Sequence, residues 1–356
     1  MLFICLAFRF KNHVKSYKKV WPSISILVPA RNEEANIQDC LAAVARLEYP
    51  HDKIQVILGN DGSTDNTGNI MQGWTESQRN WELLNILPSP DNFNMNGKAN
   101  ALAQMAKLAE GDFLLFTDAD CRVGSQWAKE MVSAVLDANA SLVTGITTLE
   151  EVSLFGKLQS LDWWLTLGMV KVMVDFNNNV TSMGNNMLVS RKAYESVGGF
   201  ESLPFSVTED FELAKAFSSF GYKSIHQVSE QSLVLTNAIP SYKDLLQQRK
   251  RWMRGAMGLG IFWKALLAIQ VLFFPSIIFL ILQSTLIGGV VWGLKIFIQG
   301  VFLRYFALKT NTRLAASSLL LFEFYYLIIS WSTIVYYFWP AKITWKGRTY
   351  PFNNPK

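Results

Sequence analysis

Asp118 and Asp120 follow directly on Phe113-Leu114-Leu115-Phe116-Thr117, a short apolar run that reads as a buried strand. Carboxylates at the end of such a strand are costly without compensation, and a cation is their usual partner. An all-oxygen pair suits a divalent cation, Mg2+ or Mn2+, which would bridge to a diphosphate. Asp61 ends a second apolar run, Ile54 to Leu58, within Gly59-Asn60-Asp61-Gly62-Ser63-Thr64-Asp65; alone, it reads equally as a turn or as a helix N-cap by Ser63 or Asp65. Thr208-Glu209-Asp210 opens the helical Phe211-Glu212-Leu213-Ala214. Thr208 suits an N-cap and acids suit a first helical turn, but Asp210 also has the chemistry to take a proton from an attacking hydroxyl. Gln248-Arg249-Lys250-Arg251-Trp252 joins arginines that neutralise phosphate to an indole face that suits a sugar ring, and its plainer reading is a basic collar at a membrane surface. His13, His51 and His226 have no acidic partner at triad or metal spacing and are poor catalytic candidates.

These residues need a scaffold, and the chain alternates accordingly. Ser23 to Pro29 is a β-branched run that reads as a first strand; Glu33 to Leu47 has helical spacing with Ile37, Leu41, Val44 and Leu47 on one face. The strand Ile54 to Leu58 precedes a helix expected from about Asp65 to Trp74. Further helices are expected over Lys98 to Leu108 and Gln126 to Asp137, and a further strand over Ser141 to Ile146. Strand and helix in alternation imply an α/β fold with a parallel sheet and right-handed crossovers, whose ligands sit at the carboxyl ends of the strands. Phe155 to Phe176, with Trp163 and Trp164, reads either as an interior helix or as a helix at the headgroup boundary, with the balance toward the latter.

The rest of the chain is apolar. Hydrophobic residues make up 50% of the 356 and charged ones 17%, mean hydropathy is +0.16, and charges thin out after Ala265. Leu266 to Ser284, Thr285 to Phe302 and Leu314 to Phe338 are each about long enough to cross a bilayer, which takes roughly 20 residues. Three crossings would put Lys342, Lys346 and Arg348 opposite the catalytic side; the alternative is that one segment does not cross, with Pro275 or Lys295 marking the candidates, and the residues leave the number of crossings open. The net charge of +5 gathers in Arg9 to Lys19 and Lys243 to Arg254, which suits an anionic membrane surface; no nucleic-acid-binding module surrounds either cluster. Met1 to Phe8 is too short to cross and reads as an interfacial anchor or the stub of a longer helix, and Asn353 to Lys356 as a frayed end. Cys5, Cys40 and Cys121 show no metal or disulfide pattern and read as free thiols in a reducing compartment.

Together, Pro29-Ala30-Arg31-Asn32-Glu33, Asp61, Gly97-Lys98-Ala99-Asn100-Ala101-Leu102, Asp118-Ala119-Asp120, Thr208-Glu209-Asp210 and Gln248 to Trp252 resemble, in order, the motifs of the family 2 glycosyltransferases with the GT-A fold. The resemblance spans Ser23 to Trp252; where the family usually has two adjacent aspartates, this chain has Asn60-Asp61. It implies that Glu33 and Asp61 hold the nucleotide's base and ribose, that Lys98 lies near the donor, and that Asp118 and Asp120 bind the diphosphate, partly through metal. It makes Asp210 the base, gives Gln248 and Arg251 the leaving diphosphate, and puts Trp252 and Glu209 on the acceptor side. Single displacement on these terms inverts the anomeric centre. Ser182 to Met187 with Gly198-Gly199-Phe200 is similar to the family's acceptor-side loop, and Ile343 to Tyr350 to the tail of members that glycosylate lipids.

The expected organisation is an N-terminal anchor or its remnant over 1–21, a GT-A catalytic domain over 22–260, transmembrane helices over 261–340 and a cytoplasmic tail over 341–356. The expected activity is transfer from a UDP-sugar to a lipid or lipid-linked acceptor at the cytoplasmic face of an inner or plasma membrane. A processive polysaccharide synthase is the alternative, and a non-catalytic sugar-nucleotide-binding subunit a third reading.

Overall fold

The computed structural model describes residues 6–7, 9–14, 16–17, 20–89, 95–176, 182–340 and 342–350. Apart from Leu6 and Ala7, the expected anchor over Met1 to Phe8 lies outside them, as do Lys15, Lys18 and Lys19 and the end from Asn353 to Lys356. The chain divides into a sheet unit, Phe10–Thr148 with Val170–Asn237, and a helical unit, mainly Leu149–Met169 with Ala238–Asn353.

The sheet unit is built as the alternation requires. Strands β1 (Ile24–Ala30), β2 (Ile54–Asn60), β3 (Trp81–Asn85) and β4 (Phe113–Thr117) pair in parallel, in the order β3-β2-β1-β4. The sheet continues through β8 (Asn186–Ser190), antiparallel to β4, then β6 (Leu142–Thr144) and β9 (Ser224–His226). The expectation of a parallel sheet thus holds for β1 to β4, while β8 runs the other way. The expected strand over Ser141 to Ile146 is in fact β6 and β7 (Ile146–Leu149), broken at Gly145; β7 joins a small sheet with β5 (Cys121–Val123) and β10 (Leu233–Thr236).

Alternation along the strands fills two cores. Ile24, Ile26 and Val28 of β1, with Val56, Leu58 and Leu115, pack under helices α1 (Ile37–Ala45), α2 (Thr67–Ser77) and α4 (Trp127–Ala138). Leu27, Ile57, Leu114 and Phe116 face the opposite side, under α3 (Gly97–Leu108), α6 (Arg191–Ser196) and α7 (Glu209–Ser219). Helix α1 starts later than its periodicity suggests, because Glu33 to Asn36 form a turn in which the amides of Asn36 and Ile37 both donate to the Glu33 carbonyl.

In the helical unit, α5 (Leu154–Asp175) contributes its first turns, up to Met169. The headgroup reading of this stretch is overturned. Trp163 and Trp164 are 8% and 1% exposed, with Trp164 against Phe306 and Trp163 against Trp252, so protein and not lipid buries both rings. Helix α8 (Tyr242–Ala256) precedes α9 (Ile261–Gln283), which contains Pro275, then α10 (Thr285–Ala307) and α11 (Ala316–Phe338). Among the described residues, Thr285–Thr310 and Ala316–Phe338 are long and apolar enough to cross a membrane, and Ala268–Gln283 is a shorter apolar stretch. Leu286, Phe297, Leu320 and Val335 are exposed on these helices, a surface that water does not favour. Lys295 of α10 is ion-paired with the fully buried Glu323 of α11, whose other oxygen accepts from Trp292 Nε1 at 3.0 Å. A hairpin of β11 (Ile343–Trp345) and β12 (Arg348–Tyr350) closes the described chain, turning at Lys346 and Gly347, both at positive φ.

Candidate active site

In the sheet unit, Ala30 pairs with Asn60, so β1 and β2 end level, and Leu27 pairs with Phe116 one residue before the end of β4, so β4 ends two residues short of them on the same side. Glu33, Asp61, Asp118 and Asp120 follow those ends within a few residues. Strand β8 begins opposite Thr117, which brings the preceding loop from Ser182 to the same edge.

The loops after β1 and β2 are fastened to each other by backbone donors. The Asn32 amide donates to Ser63 Oγ at 3.1 Å, Glu33 to Thr67 Oγ1 at 2.8 Å and Glu34 to Asp65 Oδ2 at 3.1 Å. The Thr64 amide returns a bond to Asn32 Oδ1 at 2.8 Å, and Arg31 Nη1 donates to the Asp61 carbonyl at 2.5 Å. Asn32 and Gly62 sit at φ 52 and 64, a region that asparagine and glycine tolerate better than other residues. Ser63 and Asp65, offered above as caps, thus serve the loop: Asn66 occupies the N-cap of α2, while Asp65 Oδ1 accepts from the Thr67 amide at 3.0 Å. Glu33 and Asp61 are 6% and 7% exposed, their positions fixed before any ligand arrives.

Around the next element the side chains carry opposite charges. Lys98, in the first turn of α3, is ion-paired with Asp118 and lies 3.8 Å from Glu209 Oε1. Burial alone would lower the Lys98 pKa, but Asp118 and Glu209, with help from Asp210, hold the ammonium well above its ordinary value. Asn96, just before this helix, caps it by accepting from the Ala99 amide at 2.8 Å and donates to Glu209 Oε2 at 2.8 Å and to the Ser206 carbonyl at 2.7 Å. Asn96 was not singled out from the sequence, although an asparagine ahead of a helical run is a cap signal. Asp210 opens α7. Its Oδ2 accepts from the Gly184 amide at 2.8 Å and its Oδ1 from the Phe211 amide at 2.9 Å, while Ser182 Oγ donates to its carbonyl. A Cβ at Gly184 would sit 3.1 Å from that of Asp210, so the approach favours glycine. Thr208 takes the N-cap position of α7 but bonds Ser206 at 3.1 Å instead of capping.

The arrangement offers a carboxylate fixed by amides, a buried ammonium, and carboxylates at strand ends for a cation. Among the described residues no group of three or more His, Cys, Asp or Glu could hold a metal by itself. Asp118 and Asp120 fit the chemistry of Mg2+ or Mn2+, which commonly take one or two carboxylates and fill the remaining positions with phosphate and water. Beneath them lie Cys40 and Cys121, free and buried; burial above all, then the charge of Asp120, raises both thiol pKa values, which leaves them unreactive. His226 is buried in β9 with Nδ1 2.8 Å from Thr144 Oγ1, its pKa lowered to about 3, chiefly by desolvation.

In the helical unit, the motif from Gln248 to Trp252 lies on α8. Arg249 is ion-paired with the buried Asp162 of α5, and its guanidinium lies 4.8 Å from the centre of the Trp252 ring. Lys250, fully buried, donates to the carbonyls of Tyr336 and Trp339 at 3.2 and 2.6 Å, at the carboxyl end of α11. Those carbonyls have no partner within their own helix. Gln247 Nε2 donates to Tyr336 Oη at 2.6 Å, and Arg251 lies 5.4 Å from the Trp345 ring of the hairpin. Gln248 is half-buried on the same helix.

The family model described as Glycosyl transferase family 21 matches residues 2–355. A poly-beta-1,6-N-acetyl-D-glucosamine synthase of Staphylococcus epidermidis is 27% identical over 274 residues, 74% of this chain and 63% of that protein. A beta-monoglucosyldiacylglycerol synthase of Nostoc is 27% identical over 258 residues, 69% of this chain and 52% of that protein. The chain thus spans about half to two thirds of the length of these relatives. A mannosyltransferase from Pyrobaculum calidifontis, solved with GDP-Man and Mn2+, superposes with a TM-score of 0.65 over 95% of this chain and 93% of that one, at 15% identity. That likeness is one of fold.

Proposed function

The chain belongs to glycosyl transferase family 21, a family of the same type as the family 2 enzymes whose motifs it carries, and from this premise we propose that it moves a sugar from a UDP-sugar to a lipid or lipid-linked acceptor at a membrane. The observation that carries the chemistry is the gathering of Glu33, Asp61, Lys98, Asp118, Asp120 and Asp210 at one edge of the sheet, on elements whose loops are already fixed. Glu33 and Asp61 hold the nucleoside, and Asp118 and Asp120 hold a divalent cation. A cation held by them would supply positive charge to offset that of the diphosphate. Asp210, held by the Gly184 and Phe211 amides, takes the proton from the acceptor hydroxyl. That hydroxyl then displaces the diphosphate with inversion. Gln248 and Arg251 act on the diphosphate, and Trp252 and Glu209 on the acceptor, as the motif resemblance assigns them.

The lipid acceptor is supported by the two helices long and apolar enough to span a bilayer and by a relative named for making glucosyldiacylglycerol. The cation is supported by the Mn2+ named for the structure of like fold. The same proposal takes the chain as multi-pass, with its chemistry on the cytoplasmic face; the candidate spans support the membrane association. The test is to supply the purified chain with a panel of UDP-sugars, Mn2+ and membrane lipid extract, and to identify products by mass spectrometry. A lipid carrying one added sugar is expected; a ladder of lengthening glycans sinks the single-transfer reading.

A further inference from the structure

Between Gln248 and Arg251 of the motif stand two cations whose partners lie in the helical unit. Asp162 is 4% exposed on α5, and its carboxylate accepts from Arg249 Nη2 at 2.5 Å. Desolvation raises the Asp162 pKa, and the neighbouring guanidinium opposes that rise. A buried carboxylate at this depth is stable mainly because a cation meets it, and the guanidinium is thereby held in one orientation. That guanidinium lies 4.8 Å from the Trp252 ring centre. Trp163, the residue after Asp162, meets the same ring at 5.4 Å and an interplanar angle of 69°. A single turn of α5 therefore supplies both the anchor for the cation over Trp252 and the second ring that packs against it.

We propose that Asp162 and Arg249 are positioning residues for Trp252: the buried pair fixes the plane of the indole on which the acceptor rests. This rests on the proposed acceptor role of Trp252. Lys250 complements the pair by tying the next position of α8 to the carbonyl end of α11. Within the motif, Arg249 and Lys250 thus hold the helix, to α5 and to the end of α11, between the residues proposed to act on ligands.

The test reads the ring itself. The full chain, labelled with 5-fluorotryptophan in detergent micelles, gives a 19F resonance for Trp252 that is assigned by its loss in Trp252→Phe. Asp162→Asn is expected to move or broaden that line; Asp162→Glu is expected to return it toward the wild-type position. Should Asp162→Asn not fold, the double variant Asp162→Asn with Arg249→Gln, which leaves no uncompensated buried charge, is expected to fold and show the same displacement. With UDP-glucose and membrane lipid extract, the half-saturating lipid concentration in Asp162→Asn should rise about fivefold while kcat holds, a size in keeping with one aromatic contact. A Trp252 resonance unchanged in both variants overturns the proposal. If Trp252→Ala leaves the lipid dependence unchanged, the acceptor role of Trp252 falls, and the resonance still decides whether the pair positions the ring.

Discussion

The two units treat charge in opposite ways. In the sheet unit carboxylates exceed the ammonium that faces them: Lys98 meets Asp118, Glu209 and Asp210. On α8 of the helical unit cations exceed the carboxylate: Arg249 meets Asp162, while Lys250 takes helix carbonyls and Arg251 faces a ring. A region with surplus carboxylate gains from an added cation, and one with surplus cation gains from an added anion. The holding devices differ as well, since backbone amides and short loops fix the carboxylates, whereas apolar helices and aromatic rings fix the cations.

The largest effect expected falls on the sheet unit. Asp210→Asn keeps the hydrogen-bond geometry with Gly184 and removes the basic oxygen, so transfer should fall by about 10²- to 10⁴-fold with nucleotide binding nearly unchanged. A turnover assay alongside calorimetric binding of UDP checks both halves, and unchanged turnover removes Asp210 as the base. Next, chelation with EDTA should abolish transfer, and Mn2+ or Mg2+ should restore it; full activity in EDTA ends the metal assignment. Lys98→Met should lower stability by about 1–3 kcal/mol, because it leaves the half-buried Asp118 and the buried Glu209 without their cation. The same change should tighten Mn2+ binding to the nucleotide-free chain, since Asp118 loses a competing cation. Weaker Mn2+ binding would mean that Lys98 organises the site instead of competing for it.

The smallest effect concerns residues away from the chemistry. The pKa of His226 is lowered to about 3 in the fold from an ordinary 6.5, so the unfolded chain binds more protons between those values. Stability conferred by keeping it neutral is complete above pH 6.5 and is lost as pH falls toward 3. His226→Gln should therefore flatten the decline of the melting temperature between pH 6.5 and 4. An unaltered slope assigns the acid sensitivity elsewhere, His13 being the next candidate because its pKa is lowered to the same value.

The contrast also explains what could be read from the residues alone. Strands β1, β2 and β4 announce themselves by apolar runs with abrupt polar ends, and the acids at those ends are visible because nothing else explains them. Strand β3 was not seen, since Trp81 to Asn85 has no clean alternation, and the break between β6 and β7 at Gly145 depends on which sheet each half joins. Arg249 and Lys250 were legible as charges but not as anchors, because their partners Asp162, Tyr336 and Trp339 lie about 90 residues away. Few charges in an apolar helix suggested a surface for headgroups; the acid at Asp162, amid apolar residues, was the sign of an interior.

The central claim is that the carboxylate edge of the sheet unit receives a nucleotide diphosphate only through a cation. Titrating UDP into the full chain by calorimetry, in Mn2+ and again in EDTA, tests it directly, with Asp120→Asn as the second arm. Binding in Mn2+ that vanishes in EDTA and in Asp120→Asn is the predicted result; equal UDP affinity in all three would contradict it.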